Sequence, residues 1–280
     1  MNPLTPSTGR ADGPGLNTYA SRYAYHRLER TDGVLEIRMH TDDGPVQYNR
    51  KVHSEWANLW SDVGRDPDTR VIILTGSGDT FIDRKKGLPG GKDRASRYSP
   101  AGYHRLWDES VRHVTDLVNI PVPVIAALNG PARVHAEVAL FSDVVIATPD
   151  AVIQDSPHLP EQVVPGDGIN IAVPYLLGRL RSSYFFYMGQ RIDAQEGLRL
   201  GLINEIVTDQ PVLERAREIA AIMCLQPDHN LRYTRLLLMH DVRTQVHDLI
   251  SLGMGVEGLA SLTNDWQQWN TPAEGDWTSS

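Results

Sequence analysis

The order of apolar and polar residues along the chain predicts a mixed α/β fold. Residues 33–41 (GVLEIRMHT) alternate between apolar and polar positions, which predicts a strand with one face in water. Continuous apolar runs at 71–78, 122–130 and 144–148 predict buried strands. Helices are predicted at 53–65, 101–120, 137–143, 211–224 and 230–262. Strands and helices that alternate in this way build a layered α/β domain.

Composition and charge narrow the class of protein. Of the 280 residues, 41% are hydrophobic and 22% are charged, an ordinary balance for a globular protein. The net charge of −8 argues against a general binder of nucleic-acid phosphates. Cys224 is the single cysteine, which excludes an intrachain disulfide and suits a reducing compartment. No apolar run is long enough to predict a membrane span or a secretory signal, so we expect a cytoplasmic protein.

Three segments are predicted along the chain. Residues 1–22 are rich in Pro, Gly, Ser and Thr and are predicted to form a flexible N-terminal arm. Residues 23–208 are predicted to form the α/β core, and residues 209–280 a helical C-terminal region and tail. The basic run 84–94 is predicted to lie in a long surface loop, as a solvated segment or a lid.

Several common site motifs are absent from the sequence. The segment GSGDT (76–80) satisfies neither the dinucleotide fingerprint nor the phosphate loop. There is no G-x-S-x-G elbow and no H-E-x-x-H pair, and the ten histidines lack metal-ligand spacing. The sequence therefore predicts no metal site and no cofactor. Of the common kinds of catalysis, acid–base chemistry on a substrate or on water is the one that the sequence leaves open.

One loop carries a candidate pair for that chemistry. The stretch DSPHLPEQVVPGDG (155–168) is rich in proline and glycine and contains His158 and Asp167, nine residues apart. Neither a helix nor a strand would place these two side chains on one face, so only the tertiary fold could bring them together. If the two side chains do not meet, His158 is a solvated loop residue, and Asp167 could simply cap the helix that begins near Asn170.

Five segments in a fixed order identify a family resemblance. The segments VIILTGSGDTF, VPVIAALNGPA, ALFSDVVIAT, VVPGDG and GQRIDAQEGLRLGLINEIV resemble the crotonase (enoyl-CoA hydratase/isomerase) superfamily in order and spacing. The match extends from about Tyr25 to Val207. It implies a crotonase-like spiral of ββα repeats with a helical C-terminal region, assembled as a homotrimer or a dimer of trimers.

The sequence departs from that family at the positions that carry its chemistry. Thioester-processing members have small residues in both oxyanion loops, because backbone N–H groups must approach the substrate closely. Here the first loop reads FIDRKKGLPGG and the second reads ARVHAE, which places His135 at a glycine position. Glu137 aligns with one catalytic glutamate of the hydratases. At the position of the second glutamate the chain has His158, and the Pro-Gly-x-Gly turn contains Asp167.

This pattern resembles the branch of carbon–carbon bond hydrolases that act on cyclic β-diketones, of which 6-oxocamphor hydrolase is the type. The resemblance rests on VHAE, QDSPH and PGDG. It implies that His158 and Asp167 activate water, with the aspartate fixing the histidine tautomer, and that His135 and an aromatic residue bind a carbonyl. The aromatic residue maps to Tyr48, where the branch has tryptophan. Two glutamates complete the implied site: Glu257 in the late helical region, and Glu137 as a substrate-binding residue.

The implied reaction is a retro-Claisen cleavage of a cyclic diketone to a keto acid, which requires no cofactor. Two other classes stay open. One is a CoA-thioester hydratase or isomerase with altered loops, which Glu137 favours. The other is a non-catalytic scaffold, in which His135 and Tyr48 would belong to the core and Glu257 would be an ordinary exposed helical residue.

Overall fold

The computed structural model of the chain describes residues 13–84 and 99–262. The helices in these ranges are α1 (Leu16–Tyr19), α2 (Arg50–Arg65), α3 (Pro100–Asn119), α4 (Glu137–Leu140), α5 (Ile169–Tyr187), α6 (Ala194–Leu200), α7 (Val212–Met223), α8 (Asp228–Leu238) and α9 (His240–Ser261). The strands are β1 (His26–Thr31), β2 (Val34–Met39), β3 (Val71–Thr75), β4 (Val124–Leu128), β5 (Val144–Ala147), β6 (Val152–Ile153), β7 (Ile192–Asp193) and β8 (Glu205–Ile206). None of these helices has the length and apolar character that crossing a bilayer requires.

A six-stranded sheet in the order β1-β2-β3-β4-β5-β8 forms the centre of the fold. Strands β1 and β2 form an antiparallel hairpin, and all the remaining neighbouring pairs of this sheet are parallel. All residues of β3 and β4 are buried, as expected for parallel strands that are covered on both faces. Their alternate residues enter two separate apolar clusters. This is why both sequences read as continuous apolar runs.

Four helices contact one another in the order α2, α3, α9 and α5. Helices α2 and α3 lie side by side, and α9 packs against α3 and α5. Asn49 caps α2 by accepting hydrogen bonds from two backbone N–H groups, and Ser99 caps α3 by accepting one, ahead of a proline. These caps stabilise the first turn of each helix and fix the residue at which it begins.

Three local predictions differ from the structure. Strand β1 was not expected because its sequence, HRLERT, has one large apolar residue, and its register comes from pairing with β2. The single helix expected at 230–262 is two helices, α8 and α9, separated at Met239. Part of the predicted flexible arm is folded: α1 lies at 16–19, and Tyr19 is completely buried in the apolar core, where its hydroxyl donates to Asp66. Residues 1–12 of the arm and 85–94 of the basic run lie outside the described residues.

Candidate active site

Five of the six residues that the sequence singled out lie around one cavity. They are Tyr48, His135, His158, Asp167 and Glu257. The rest of the wall consists of His53, Arg84, Leu106, Ser110, Pro157, Val163 and Met254. The cavity has a volume of about 40 Å³, and one buried water needs about 10–15 Å³ on the same scale. The space therefore holds more than one water molecule beside the candidate residues.

His158 lies between two carboxylates. Its Nδ1 is 2.6 Å from Oδ1 of Asp155, and its Nε2 is 3.4 Å from Oδ2 of Asp167. All three side chains are buried. Burial alone would lower the pKa of His158, but the charges of the two aspartates raise it well above its usual value. Burial would likewise raise the pKa of Asp167, whereas the neighbouring imidazoles hold it well below its usual range.

This geometry corrects the expected role of Asp167. The carboxylate that holds Nδ1 of His158, and so sets its tautomer, is Asp155. Asp155 lies three residues before His158 in DSPH, and its carboxylate contacts Nδ1 of the ring. Asp167 lies near the opposite nitrogen, Nε2. The capping role considered for Asp167 is not observed either, since Gly168 is the N-cap of α5 and no side chain caps that helix.

Two glycines place Asp167 in this position. A Cβ on Gly166 would lie 2.4 Å from the carbonyl oxygen of Gly253 and 2.9 Å from Cβ of Glu257. The loop can therefore pack directly against α9 only without a side chain there. Gly168 has a φ of +116°, a conformation that residues with a Cβ rarely adopt. The PGDG sequence thus serves to bring Asp167 and Glu257 to the same cavity.

His135 occupies the loop between β4 and α4 in a left-handed conformation, with a φ of +49°. Such a φ is uncommon for a residue other than glycine. Nδ1 of His135 is 2.6 Å from Oε1 of Glu137 and 3.5 Å from Oδ2 of Asp167. The ring packs on Tyr48, with centroids 4.5 Å apart. Residues from the loops after β2 and β4 therefore meet at the cavity wall.

Glu137, the sixth predicted residue, is completely buried behind His135 and does not line the cavity. Its Oε1 also lies 3.7 Å from Nε2 of His113. The indole N–H of Trp60 donates to Nδ1 of His113 over 2.8 Å. An indole only donates, so a neutral His113 carries its proton on Nε2, toward Glu137. Burial lowers the pKa of His113 to about 4, which keeps this ring neutral near pH 7.

Donor atoms of His113, His135 and Glu137 lie within 4.8 Å of one another, as in a metal site. The hydrogen bond from Trp60 makes this set unsuitable for a cation, because it leaves the proton of His113 on the nitrogen that would have to bind the metal. Within this set His135 and Glu137 are hydrogen-bonded, and Nε2 of His113 faces Glu137 over 3.7 Å, so the three side chains form an electrostatic network instead. This network reaches the cavity through His135.

Sequence reasoning missed four residues around the site: Asp155, His53, Ser110 and His113. Asp155 had a usable signal, since it lies three residues before His158 in a segment already singled out. The other three come from the facing sides of α2 and α3, where Oγ of Ser110 lies 3.2 Å from Nε2 of His53. Helical spacing alone predicts only that these positions face inward. Their contact depends on how the two helices pack.

Comparison with known proteins places the chain in a family. The family model described as enoyl-CoA hydratase/isomerase matches residues 29–256. The chain belongs to the enoyl-CoA hydratase/isomerase family. Among curated members, carnitinyl-CoA dehydratase from Citrobacter koseri is 31% identical over 194 residues, which cover 67% of this chain and 69% of that protein.

Solved structures agree with this assignment. A β-diketone hydrolase from the cyanobacterium Anabaena sp. PCC 7120, bound to (S)-3-oxocyclohexyl acetic acid, is 35% identical, with a TM-score of 0.83 over 88% of this chain and 98% of that chain. An enoyl-CoA hydratase/isomerase from Mycobacterium paratuberculosis is 24% identical, with a TM-score of 0.78 over 87% and 96% of the two chains. The expected α/β crotonase-like fold with a helical C-terminal region is therefore confirmed. The proteins that are similar to this chain are named for different reactions.

Proposed function

We propose that this protein is a cofactor-independent hydrolase that cleaves a carbon–carbon bond of a cyclic β-diketone by a retro-Claisen reaction. The observation that carries the proposal is His158 between two carboxylates at the cavity, with Asp155 2.6 Å from Nδ1 and Asp167 3.4 Å from Nε2. Such a histidine is oriented on one side and can take a proton from water on the other. The similar Anabaena hydrolase supports the proposal, since the molecule bound to it is a keto acid.

The first step forms the nucleophile. Neutral His158 donates Nδ1–H to Asp155, and its Nε2 takes a proton from a water held beside Asp167. The resulting hydroxide adds to one carbonyl carbon of the diketone. The carbonyl oxygen becomes negatively charged and accepts hydrogen bonds from His135 and the Tyr48 hydroxyl, which both line the cavity.

The second step breaks the ring. The tetrahedral intermediate collapses to a carboxylic acid and expels the carbon between the two carbonyls as an enolate. The second carbonyl delocalises the negative charge on that carbon, so no cofactor is needed. The proton that His158 took from water passes to the enolate carbon. One diketone and one water thus give one keto acid, and His158 returns to its neutral form.

Glu257 completes the proposed site on the side of α9. It is 3% exposed and lines the cavity, unlike the exposed helical glutamate that its sequence position alone would suggest. The close approach of Gly166 to its Cβ holds this side of the cavity against the loop that carries Asp167. We assign Glu257 to the polar wall that positions the diketone and the departing enolate.

A CoA-thioester dehydratase is the second candidate, favoured by the similarity to carnitinyl-CoA dehydratase. Two features of the site weigh against it. The second oxyanion loop contains the side chain of His135, where a backbone N–H would have to approach a thioester closely. Glu137, which aligns with a catalytic glutamate of hydratases, is completely buried behind that side chain.

A direct assay distinguishes the two candidates. The purified protein is supplied with monocyclic and bicyclic β-diketones without CoA, and loss of the enolate absorbance is followed beside the His158→Ala variant. We expect cleavage by the wild type and a fall of about 10²–10⁴-fold in the variant, the usual contribution of a general base. Absence of cleavage over the whole panel, together with tight binding of an acyl-CoA, would instead favour a CoA-thioester dehydratase.

We also propose that further copies of this chain cover the exposed apolar face of the C-terminal helices, as a trimer or a dimer of trimers. Leu236, Leu237 and Leu238 are 54%, 76% and 68% exposed, and Leu252 and Leu259 on α9 are 60% and 67% exposed. Five exposed leucines on two consecutive helices favour burial against another chain. Light scattering on the full chain should give a multiple of three protomers, and a monomer would contradict the proposal.

A further inference from the structure

Glu137 contacts the cavity only through another side chain. It is completely buried, and its Oε1 lies 2.6 Å from Nδ1 of His135. Its Oε2 has no hydrogen-bond partner within residues 13–84 and 99–262. The next polar group is Nε2 of His113, at 3.7 Å. A carboxyl group placed in this way can influence a bound substrate only by setting the state of His135.

The proposed reaction needs a particular state of His135. Its Nδ1 is engaged by Glu137, so a hydrogen bond to the substrate oxygen has to come from Nε2, on the opposite side of the ring. A neutral imidazole has a single N–H. If that proton sits on Nδ1 and points to the Glu137 carboxylate, Nε2 presents a lone pair and repels an oxygen that is gaining negative charge. A hydrogen bond from Nε2 therefore requires a second proton on the His135–Glu137 pair.

We propose that Glu137 is a positioning residue that holds this second proton on His135, so that Nε2–H becomes the donor to the developing oxyanion. The inference rests on the proposed retro-Claisen function. One proton is then shared between Oε1 of Glu137 and Nδ1 of His135, and the other resides on Nε2. Whether the shared proton is drawn on the acid or on the ring, Nε2 remains a donor, so the pair titrates as one unit.

The surroundings support a shared proton at this place. Oδ2 of Asp167 lies 3.5 Å from Nδ1 of His135, so a negative charge faces the ring that would carry the positive one. His113 directs its Nε2–H toward Oε1 of Glu137, which favours a negatively charged oxygen there. The titratable groups that face the pair are His53 on α2, His113 on α3, Asp167 in the loop before α5, and Tyr48 in the loop after β2.

The protonation of the pair sets an alkaline limit on activity. Burial is the main cause that raises the pKa of Glu137 to about 7, while His113 lowers it and the Asp167 charge raises it. As the pH rises, the pair loses the shared proton, the remaining proton of His135 moves to Nδ1, and Nε2 stops donating. The rate should therefore fall on the alkaline side, and this fall belongs to the pair as a whole.

The test combines NMR on the intact protein with kinetics. Nitrogen-15 correlation spectra report whether each ring nitrogen of His135 carries a proton, with His135→Ala used for assignment. In the wild type we expect both nitrogens to be protonated near neutral pH. In Glu137→Gln the amide oxygen accepts from Nδ1–H and faces the N–H of His113, so Nε2 should lose its proton. The matched control is Glu55→Gln, which alters another carboxylate–histidine pair, the half-buried Glu55 and the buried His26, and should leave the His135 signals unchanged.

Kinetics on a diketone then test the consequence. Glu137→Gln should lower kcat by about 10²-fold, the usual cost of losing one oxyanion donor. It should have little further effect in the His135→Ala background, because the two residues act through one hydrogen bond. A doubly protonated His135 in Glu137→Gln, or full additivity of the two changes, would overturn the inference. If no diketone is cleaved but the NMR result holds, the proposed function fails and the proton assignment stands.

Discussion

Two buried histidines of this protein each contact a carboxylate through Nδ1, yet their surroundings differ. Nδ1 of His158 lies 2.6 Å from Asp155, and Nδ1 of His26 lies 2.8 Å from Glu55. Glu55 also accepts hydrogen bonds from the backbone N–H groups of two residues, so it holds the chain at the start of β1. His158 has a second carboxylate at Nε2 and lines a cavity. A carboxylate–histidine contact is therefore not in itself a sign of catalysis, and the proposed role of His158 rests on its second carboxylate and on the cavity beside it.

The two pairs also differ electrostatically. Burial lowers the pKa of His26, and the single contact with Glu55 does not reverse this effect. At His158 the opposing charges of two aspartates outweigh the same burial, and the pKa is raised well above its usual value. Asp155 makes the larger contribution to this rise, and Asp167, which the PGDG turn brings to the other nitrogen of the ring, adds to it.

The largest difference between the two pairs is expected when each carboxylate becomes an amide. Asp155→Asn removes the charge that orients and stabilises protonated His158, so kcat should fall by about 10²–10⁴-fold. Glu55→Gln should leave kcat within about twofold and act on folding stability alone, by about 1 kcal/mol. Steady-state kinetics on a cleaved diketone and denaturant unfolding of both variants make the comparison. Equal effects of the two changes on kcat would contradict the catalytic assignment of Asp155.

A smaller but more specific effect is expected in the pH profile. Neutral His158 is the proposed base, so kcat/KM should rise with pH through the pKa of His158, which lies above the usual value of 6.5. Asp167→Asn removes one of the two charges that raise this pKa, so the acidic limb of the profile should move to lower pH while the maximal rate falls. Glu55→Gln should leave the limb in place. A limb that stays where it is in Asp167→Asn would assign it to another group.

The same comparison shows how far the sequence alone could lead. The apolar runs of β3 and β4 predict buried strands correctly because both faces of these strands are covered, and a resemblance of motif order located His135, His158 and Asp167. The role of fixing the tautomer of His158 was assigned to Asp167, whereas Asp155 makes the hydrogen bond to Nδ1, because spacing along the chain does not reveal which side of a ring a carboxylate approaches. Likewise, Trp60 and His113 lie on different helices, and their hydrogen bond depends on helix packing that no local pattern encodes.

The smallest expected effect concerns stability, where the two histidines should act with opposite signs. For His26 the folded pKa lies below the unfolded value of about 6.5, so its contribution to stability is lost as the pH falls from that value toward the folded pKa. For His158 the folded pKa lies above the unfolded value, so its contribution is complete below about pH 6.5 and is lost as the pH rises through the folded pKa. A difference of one between folded and unfolded pKa values corresponds to about 1.4 kcal/mol.

Substitution by a side chain that does not titrate separates the two contributions. Chemical unfolding of His26→Gln and His158→Gln at about pH 5 and about pH 8 gives the loss of stability relative to wild type at each pH. The loss for His158→Gln should be larger at the acidic pH, because the wild type then has a cation between two carboxylates. The loss for His26→Gln should be larger at the alkaline pH. At the acidic pH the wild type is itself destabilised, because the buried His26 must stay neutral or be protonated against the effect of burial, whereas the variant has no group that titrates at this position. If both losses changed in the same direction with pH, the second carboxylate would not be what distinguishes His158 from His26.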